Sequence, residues 1–137
     1  MTKIHYSEDI HSVDWVELKQ RVAEDDFDNG RTPEQMLASA EGSRVNVFAF
    51  ADGKIIGNVR VLSDGVCNAY MVDVWTYTPF RGQGIAKKMI EIALERLPGQ
   101  HVYLFTDTAQ GLYEKCGFAP QGVGMGRVVG TWLHNSA

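Results

Sequence analysis

Two Asp-Gly pairs, Asp52-Gly53 and Asp64-Gly65, constrain the fold of this chain more than any other feature. Each lies between runs rich in β-branched and aromatic residues: Val45–Phe50 before the first, Lys54–Leu62 between them, and Asn68–Thr76 after the second. Asp-Gly supplies the positive-φ positions that a tight hairpin turn needs, so the three runs predict an antiparallel meander. A short strand over Lys3–Tyr6 is expected ahead of it.

After Pro79 the period changes. Between Gly82 and Leu97, Ile85, Met89, Ala93 and Leu97 recur every fourth position, joined by Ala86, Ile90 and Leu94, while Lys87, Glu91 and Glu95 line another stripe. That spacing predicts an amphipathic helix, stopped by Pro98-Gly99. A strand over His101–Thr106 follows, and strand–helix–strand implies a parallel crossover, expected to be right-handed. A shorter helix over Ala109–Cys116 ends at Gly117, and the Gly- and Val-rich tail from Phe118 predicts one or two further strands. Upstream, Ser12 reads as the N-cap of a helix over Val13–Glu24. Asp25–Gly30 breaks it, and Thr32-Pro33 restarts a helix to about Ala40. The fold class is therefore α/β (α+β), a mixed and mostly antiparallel sheet flanked by helices in a single domain over residues 1–137.

Composition agrees. A chain of 137 residues, 45% apolar and 22% charged, suffices for one domain with its own core. The net charge of −4 argues against a nucleic-acid binder or a polybasic membrane module. No apolar run approaches the roughly 20 residues that span a bilayer, and the N-terminus lacks the apolar stretch of a signal peptide. Cys67 and Cys116 form no close pair, as expected of a cytoplasmic protein. The charge is also lopsided: residues 1–80 hold 7 basic and 13 acidic groups, net −6, whereas residues 81–137 hold 6 and 4, net +2.

The stretch that carries chemistry is Val72 to Ala86, a strand feeding a glycine turn that opens a helix. The first N–H groups of a helix have no internal partner, and its dipole puts partial positive charge there. Gly82 and Gly84 keep side chains away from those groups, Arg81 adds a guanidinium, and Lys87 and Lys88 follow: an anion site. The glycines match neither the P-loop nor the dinucleotide fingerprint.

Arg81-Gly82-Gln83-Gly84-Ile85-Ala86 resembles the Q/R-x-x-G-x-G/A pyrophosphate motif of the GNAT superfamily of acyl-CoA-dependent N-acyltransferases. Leu112-Tyr113-Glu114-Lys115-Cys116-Gly117-Phe118 is similar to that family's LYEKxGF segment. Their order and the strand between them agree, so the resemblance covers about Val45 to Phe118. It implies that Val74, Trp75 and Thr76 form the strand edge pairing with the pantetheine arm of acetyl-CoA, the co-substrate. It implies also that Arg81, Gly82, Gln83, Gly84, Ile85 and Ala86 wrap the pyrophosphate, and that Tyr113 is the general acid for the departing thiolate. There are two departures. Thr78 stands where the family's proline is common, with Pro79 next, and the loop Thr106–Gln110 lacks the Asn often found there.

The implied reaction transfers acetyl to a primary amine of a small molecule in a direct ternary complex. A Lys-like amine of pKa about 10.4 must lose a proton to attack at pH 7, so a proton acceptor is needed. Asp73, beside the pantetheine strand, is the catalytic candidate for it, with a structural hydrogen bond as its alternative; Tyr70 is a weaker one. A backbone N–H of Val74 or Trp75 is placed to steady the tetrahedral oxyanion. His5, His11, His101 and His134 have no spacing suited to a metal or a triad, and no metal is expected. Cys116 reads as packing. Trp15, Trp75 and Trp132 read as core or interface residues, with Trp75 a candidate wall of the acceptor pocket. Glu24, Asp25, Asp26 and Asp28 read as a solvated helix end or as an attractor for a cationic amine. Expected partners are a small amine, with no nucleic acid and no membrane; a homodimer is left open. Two rivals stand: a protein or peptide N-acetyltransferase, and a non-catalytic CoA-binding interaction module.

Overall fold

The structure, a computed structural model, describes residues 2–134. One five-stranded sheet runs in the order β1 (Ile4–Ser7), β2 (Val45–Ala51), β3 (Lys54–Ser63), β4 (Asn68–Thr76) and β5 (His101–Tyr103). The first four strands pair antiparallel, and β4 pairs parallel with β5. The expected meander is present. At its first turn Asp52 and Gly53 take φ of 52° and 76°, the pair of left-handed residues that matches the twist of a hairpin.

Helices α1 (Trp15–Glu24) and α2 (Pro33–Glu41) pack on one face of the sheet; α3 (Ile85–Glu95) and α4 (Gln110–Lys115) pack on the other. Alternation in β2 shows how this is encoded. Val45, Val47, Ala49 and Ala51 join the core with Ile85, Met89, Ile90 and Ala93 of α3, whereas Phe48 joins Leu18, Val22 and Met36 of α1 and α2. With both faces covered, the strand reads as a nearly unbroken apolar run. Among the described residues no helix is long and apolar enough to cross a membrane.

Three boundaries differ from the sequence reading. Helix α1 starts at Trp15, not Val13, and its cap is Asp14, whose carboxylate accepts from the N–H groups of Val16 and Glu17, both at 3.1 Å. Ser12 instead closes a 3₁₀ turn, its hydroxyl donating to the Asp9 carbonyl. Helix α3 begins at Ile85, not Gly82, because Gly82 and Gly84 take φ of 78° and 79°, outside helical space. Strand β5 ends at Tyr103, short of Thr106.

The tail forms no strand among the described residues, against the expectation of one or two; residues 135–137 lie outside them. Gly122, Gly124, Gly126 and Gly130 interrupt any cross-strand pairing there, and Gly122 and Gly130 are left-handed. The tail is held instead by single contacts. Gln121 meets His101 at 2.8 Å, and Gly124 crosses the Phe105 ring so closely that there is no room for a Cβ. Trp132 Nε1 donates to the Asn29 carbonyl at 2.9 Å.

Candidate active site

Strand β4 is paired to β5 only along Asn68–Tyr70, and then runs on alone to Thr76. Strand β5 ends at Tyr103, so beyond Tyr70 the β4 backbone has no sheet partner on that side among the described residues. On the other side β4 carries a bulge. Arg60 pairs with Val72 and Asn58 with Trp75, so three steps on β4 match two on β3, and Asp73 takes φ 56°. The extra residue reverses the facing of the strand beyond it. Ala69 and Met71 join the α3-side core, whereas Trp75, which unbroken alternation would keep with them, joins the α1-side core.

Strand β4 leads, through a short 3₁₀ turn over Thr78–Phe80, to the start of α3. Gly82 and Gly84 have nothing within 4 Å of a hypothetical Cβ, so the space over the helix N-terminus is open and their need is for left-handed φ. Gln83 is exposed, Ile85 is buried against the sheet and Ala86 is half-buried. The hydroxyl of Thr76, at the end of the strand, is buried with no hydrogen-bond partner among the described residues. An open helix start, an unpaired strand edge and an orphaned hydroxyl between them fit an extended polar ligand ending in a polyanion.

Arg81 does not point over that helix start. Its Nε donates to the Thr76 carbonyl at 2.9 Å, and its NH2 group lies 3.3 Å from Asp25, at the end of α1. The same Asp25 oxygen accepts from Trp75 Nε1 at 3.0 Å and the Thr78 N–H at 2.9 Å. Burial pushes the Asp25 carboxyl upward, but hydrogen bonds from Thr78 and Trp75, with Arg81 nearby, outweigh it and hold the group below the usual range. The acidic cluster is therefore largely structural. Asp28 is held by Lys19 at 2.7 Å, and Glu24 accepts from the Tyr77 hydroxyl at 3.1 Å. No signal in the sequence marks Asp25 as the latch between α1 and the glycine turn.

Tyr113, on α4, is buried, its ring edge-on to Phe118 at 5.9 Å. Burial, with Cys116 close by, raises its pKa above the ordinary phenol value. Asp73 sits in the bulge, one oxygen accepting from Arg60 Nε at 2.8 Å and Arg31 NH2 at 2.9 Å. Tyr70 is partly exposed and packs edge-on to Phe105 at 6.0 Å. Tyr113 thus belongs to the α3-side core, while Asp73 is held by Arg60 and by Arg31, which precedes α2. Among the described residues no three His, Cys, Asp or Glu side chains gather to hold a metal.

The sequence model of the Acetyltransferase (GNAT) family matches residues 7–118. No curated protein matches. Many solved structures do. One from Staphylococcus aureus, described as a probable acetyltransferase, is 20% identical with a TM-score of 0.80, over 93% of this chain and all of that one. One from Xanthomonas campestris, described as belonging to the GNAT family, is 27% identical with a TM-score of 0.78, over 94% and 95%. A GNAT family acetyltransferase from Streptococcus pneumoniae is 21% identical with a TM-score of 0.75, over 94% and 98%.

Proposed function

The chain belongs to the Acetyltransferase (GNAT) family, and from that premise we propose that it moves an acetyl group from acetyl-CoA to the primary amine of a small molecule, by direct attack in a ternary complex. One observation carries the reading: β4 parts from β5 after Tyr70 and leads into a helix start whose two glycines leave it open. The pantetheine arm pairs along Val74, Trp75 and Thr76, and the pyrophosphate rests on the N–H groups from Gly82 to Ala86. Thr76 Oγ1 gains a partner in the process. Arg81 supports the turn by holding it to Asp25 and stands close enough to lend charge.

The bulge displaces the β4 backbone at Asp73 and Val74, so an N–H of Val74 or Trp75 faces the thioester oxygen as it gains charge. Tyr113, kept protonated by burial, gives its proton to the leaving sulfur. Asp73 acts mainly by position. Two guanidiniums hold one of its oxygens, and the group fixes both the bulge and the arginines. Before it attacks, the amine loses its proton through water to solvent, and Tyr113 recovers its own from solvent after the thiol has left.

The test is turnover of acetyl-CoA, read as free thiol, against amines, polyamines, amino acids, amino sugars and peptides, with calorimetry of CoA binding beside it. Gly84→Glu places a carboxylate and a strained backbone at the pyrophosphate seat and should weaken CoA binding at least about 100-fold, the scale of one or two lost charge-assisted hydrogen bonds. Unchanged binding would remove the cofactor assignment.

A further inference from the structure

We propose that one water molecule is built into the sheet behind the β4 bulge, and that Asn58 acts through it as a positioning residue for acetyl transfer. The water site stands on packing and hydrogen bonding alone; the positioning role rests on the acetyl-transfer reading.

Strands β2 and β3 put polar groups into rows that are otherwise apolar. Asn46 lies between Val45 and Val47, and Asn58 and Arg60 flank Val59. Those valines belong to the α3-side core, so the three polar side chains face α1 and α2. Asn46 pairs across the sheet with Arg60, and Asn58 is two residues along the same strand as Arg60, so the two amides are diagonal neighbours. Toward β4, Asn58 pairs with Trp75 and Arg60 with Val72, and the bulge residues Asp73 and Val74 lie between those pairs. Trp15 and Leu18 of α1 and Met36 of α2 cover this polar group, leaving a space of about 10 Å³.

Two residues lining that space carry unmet acceptors. Oδ1 of Asn46 and Oδ1 of Asn58 are buried with no hydrogen-bond partner among the described residues. The Asn46 amide cannot turn over, because its Nδ2 donates to the Ala40 carbonyl at 2.9 Å. A buried water needs roughly 10–15 Å³ and two to four polar partners, so the space suits one water and nothing larger. Its two O–H groups donate to the two Asn oxygens. Its own oxygen accepts from Arg60, which gives Nε to Asp73 at 2.8 Å and NH1 to Ser43 at 3.3 Å and has N–H groups left. Leaving two buried acceptors unmet costs more than holding one water still.

The location gives this water a task. Arg60 fixes Asp73, the left-handed residue of the bulge, at φ 56°. Val74 and Trp75, whose N–H groups serve the thioester oxygen in the proposed reaction, follow directly. The water joins Asn58, on one side of the bulge, to Arg60, on the other, and so steadies the guanidinium against Asp73. Asn58 itself touches neither substrate nor cofactor.

A crystal structure of the full chain, at a resolution that shows ordered water, tests the site and needs no variant to fold. One density peak within about 3.2 Å of both Asn oxygens is expected. No peak there, or Asn oxygens paired with protein groups, overturns the proposal. Asn58→Leu removes one acceptor and fills part of the space, so the peak should vanish. With any accepted amine its kcat should fall about 10-fold while the Kd for acetyl-CoA stays within about 2-fold, since misplacing a reacting group by about 1 Å costs up to about 100-fold. Asn58→Ser restores an acceptor and should return kcat to within about 3-fold of wild type. A wild-type kcat in Asn58→Leu, or equal loss in both variants, overturns the positioning role. If wild type turns over no amine, the transfer reading fails by itself, and nitrogen-15 NMR decides the rest. Hydrogen exchange at the Arg60 Nε–H should be at least about 10-fold faster in Asn58→Leu and near wild type in Asn58→Ser, as for a local opening that the water restrains. Equal exchange in all three proteins overturns it.

Discussion

Tyr113 keeps its proton across the neutral range because burial pushes its phenol up, with Cys116 adding to the shift. A thiolate leaving at neutral pH needs such a donor, and a phenol that had ionised could not serve. Tyr113→Phe keeps the ring against Phe118 and removes only the hydroxyl. It should lower kcat by roughly 10²–10⁴-fold, the usual worth of a general acid, while the Kd for acetyl-CoA stays within about 2-fold. A parallel loss of binding would make the ring a packing residue instead. Asp73→Asn separates position from proton transfer at the other candidate. With two guanidiniums on one oxygen, the amide still accepts from them. Loss of kcat should therefore stay under about 10-fold while the acceptor KM rises; a fall on the 10²–10⁴ scale would restore Asp73 as the base. Both residues were legible in the sequence, Tyr113 from its motif and Asp73 from its place on the strand. Arg31 was not, since nothing local marks a residue whose partner, Asp73, lies far along the chain.

Strand β3 shows how closely two elements meet. Gly57 lies under α3, and a Cβ there would stand 2.8 Å from Cε and 3.0 Å from Sδ of Met89, and 3.2 Å from the Ala49 Cβ. Met89 and Ala49 are fully buried, so the thioether end of Met89 would have to shift within a packed core. Gly57→Ala should destabilise the protein by about 1–3 kcal/mol, the range for overpacking a core. Shortening the neighbour should recover much of that loss, so the Gly57→Ala, Met89→Ala double variant is expected to be more stable than the two single effects added. Denaturant midpoints of the four proteins in that cycle check it, and simple additivity would deny the contact. The elements themselves were readable because each has a regular period: alternation in β2 and β3, fourfold spacing in α3. The bulge in β4 was not, because its effect is to break the period at Asp73, and the run from Asn68 to Thr76 looks regular in composition. The tail misled in the opposite sense. Its valines suggested strands, but four glycines between Gly122 and Gly130 leave too few side chains to pair.

At the scale of the whole molecule, carboxylates held below their usual range stand where elements join. Asp25 binds the end of α1 to the β4–α3 turn through Trp75, Thr78 and Arg81. Asp28 binds the following loop back to Lys19 on α1, and Glu8 reaches Arg96 at the end of α3 with two contacts of 2.8 Å. Asp64 closes the β3–β4 turn on the N–H groups of Val66, Cys67 and Asn68. At Asp28 the Lys19 hydrogen bond is the main cause, at Glu8 the Arg96 hydrogen bond, and at Asp64 the backbone N–H groups; at Asp25 several donors together overcome burial. A carboxylate whose folded pKa is depressed contributes stability that is complete above its unfolded value, near 4, and is lost as pH falls through the folded value. The urea midpoint should therefore be flat from about pH 7 to 5 and fall below about pH 4 as these junctions are protonated. Asp25→Asn should lower the midpoint at pH 7, consistent with about 1–3 kcal/mol for a buried charged acceptor, and should also make the acid slope shallower, because one depressed proton site is gone. An acid slope identical to wild type would mean that Asp25 contributes nothing to it. The β4–α3 connection and α1 would then be joined by the packing of Trp75 and Tyr77 and by the Tyr77–Glu24 hydrogen bond.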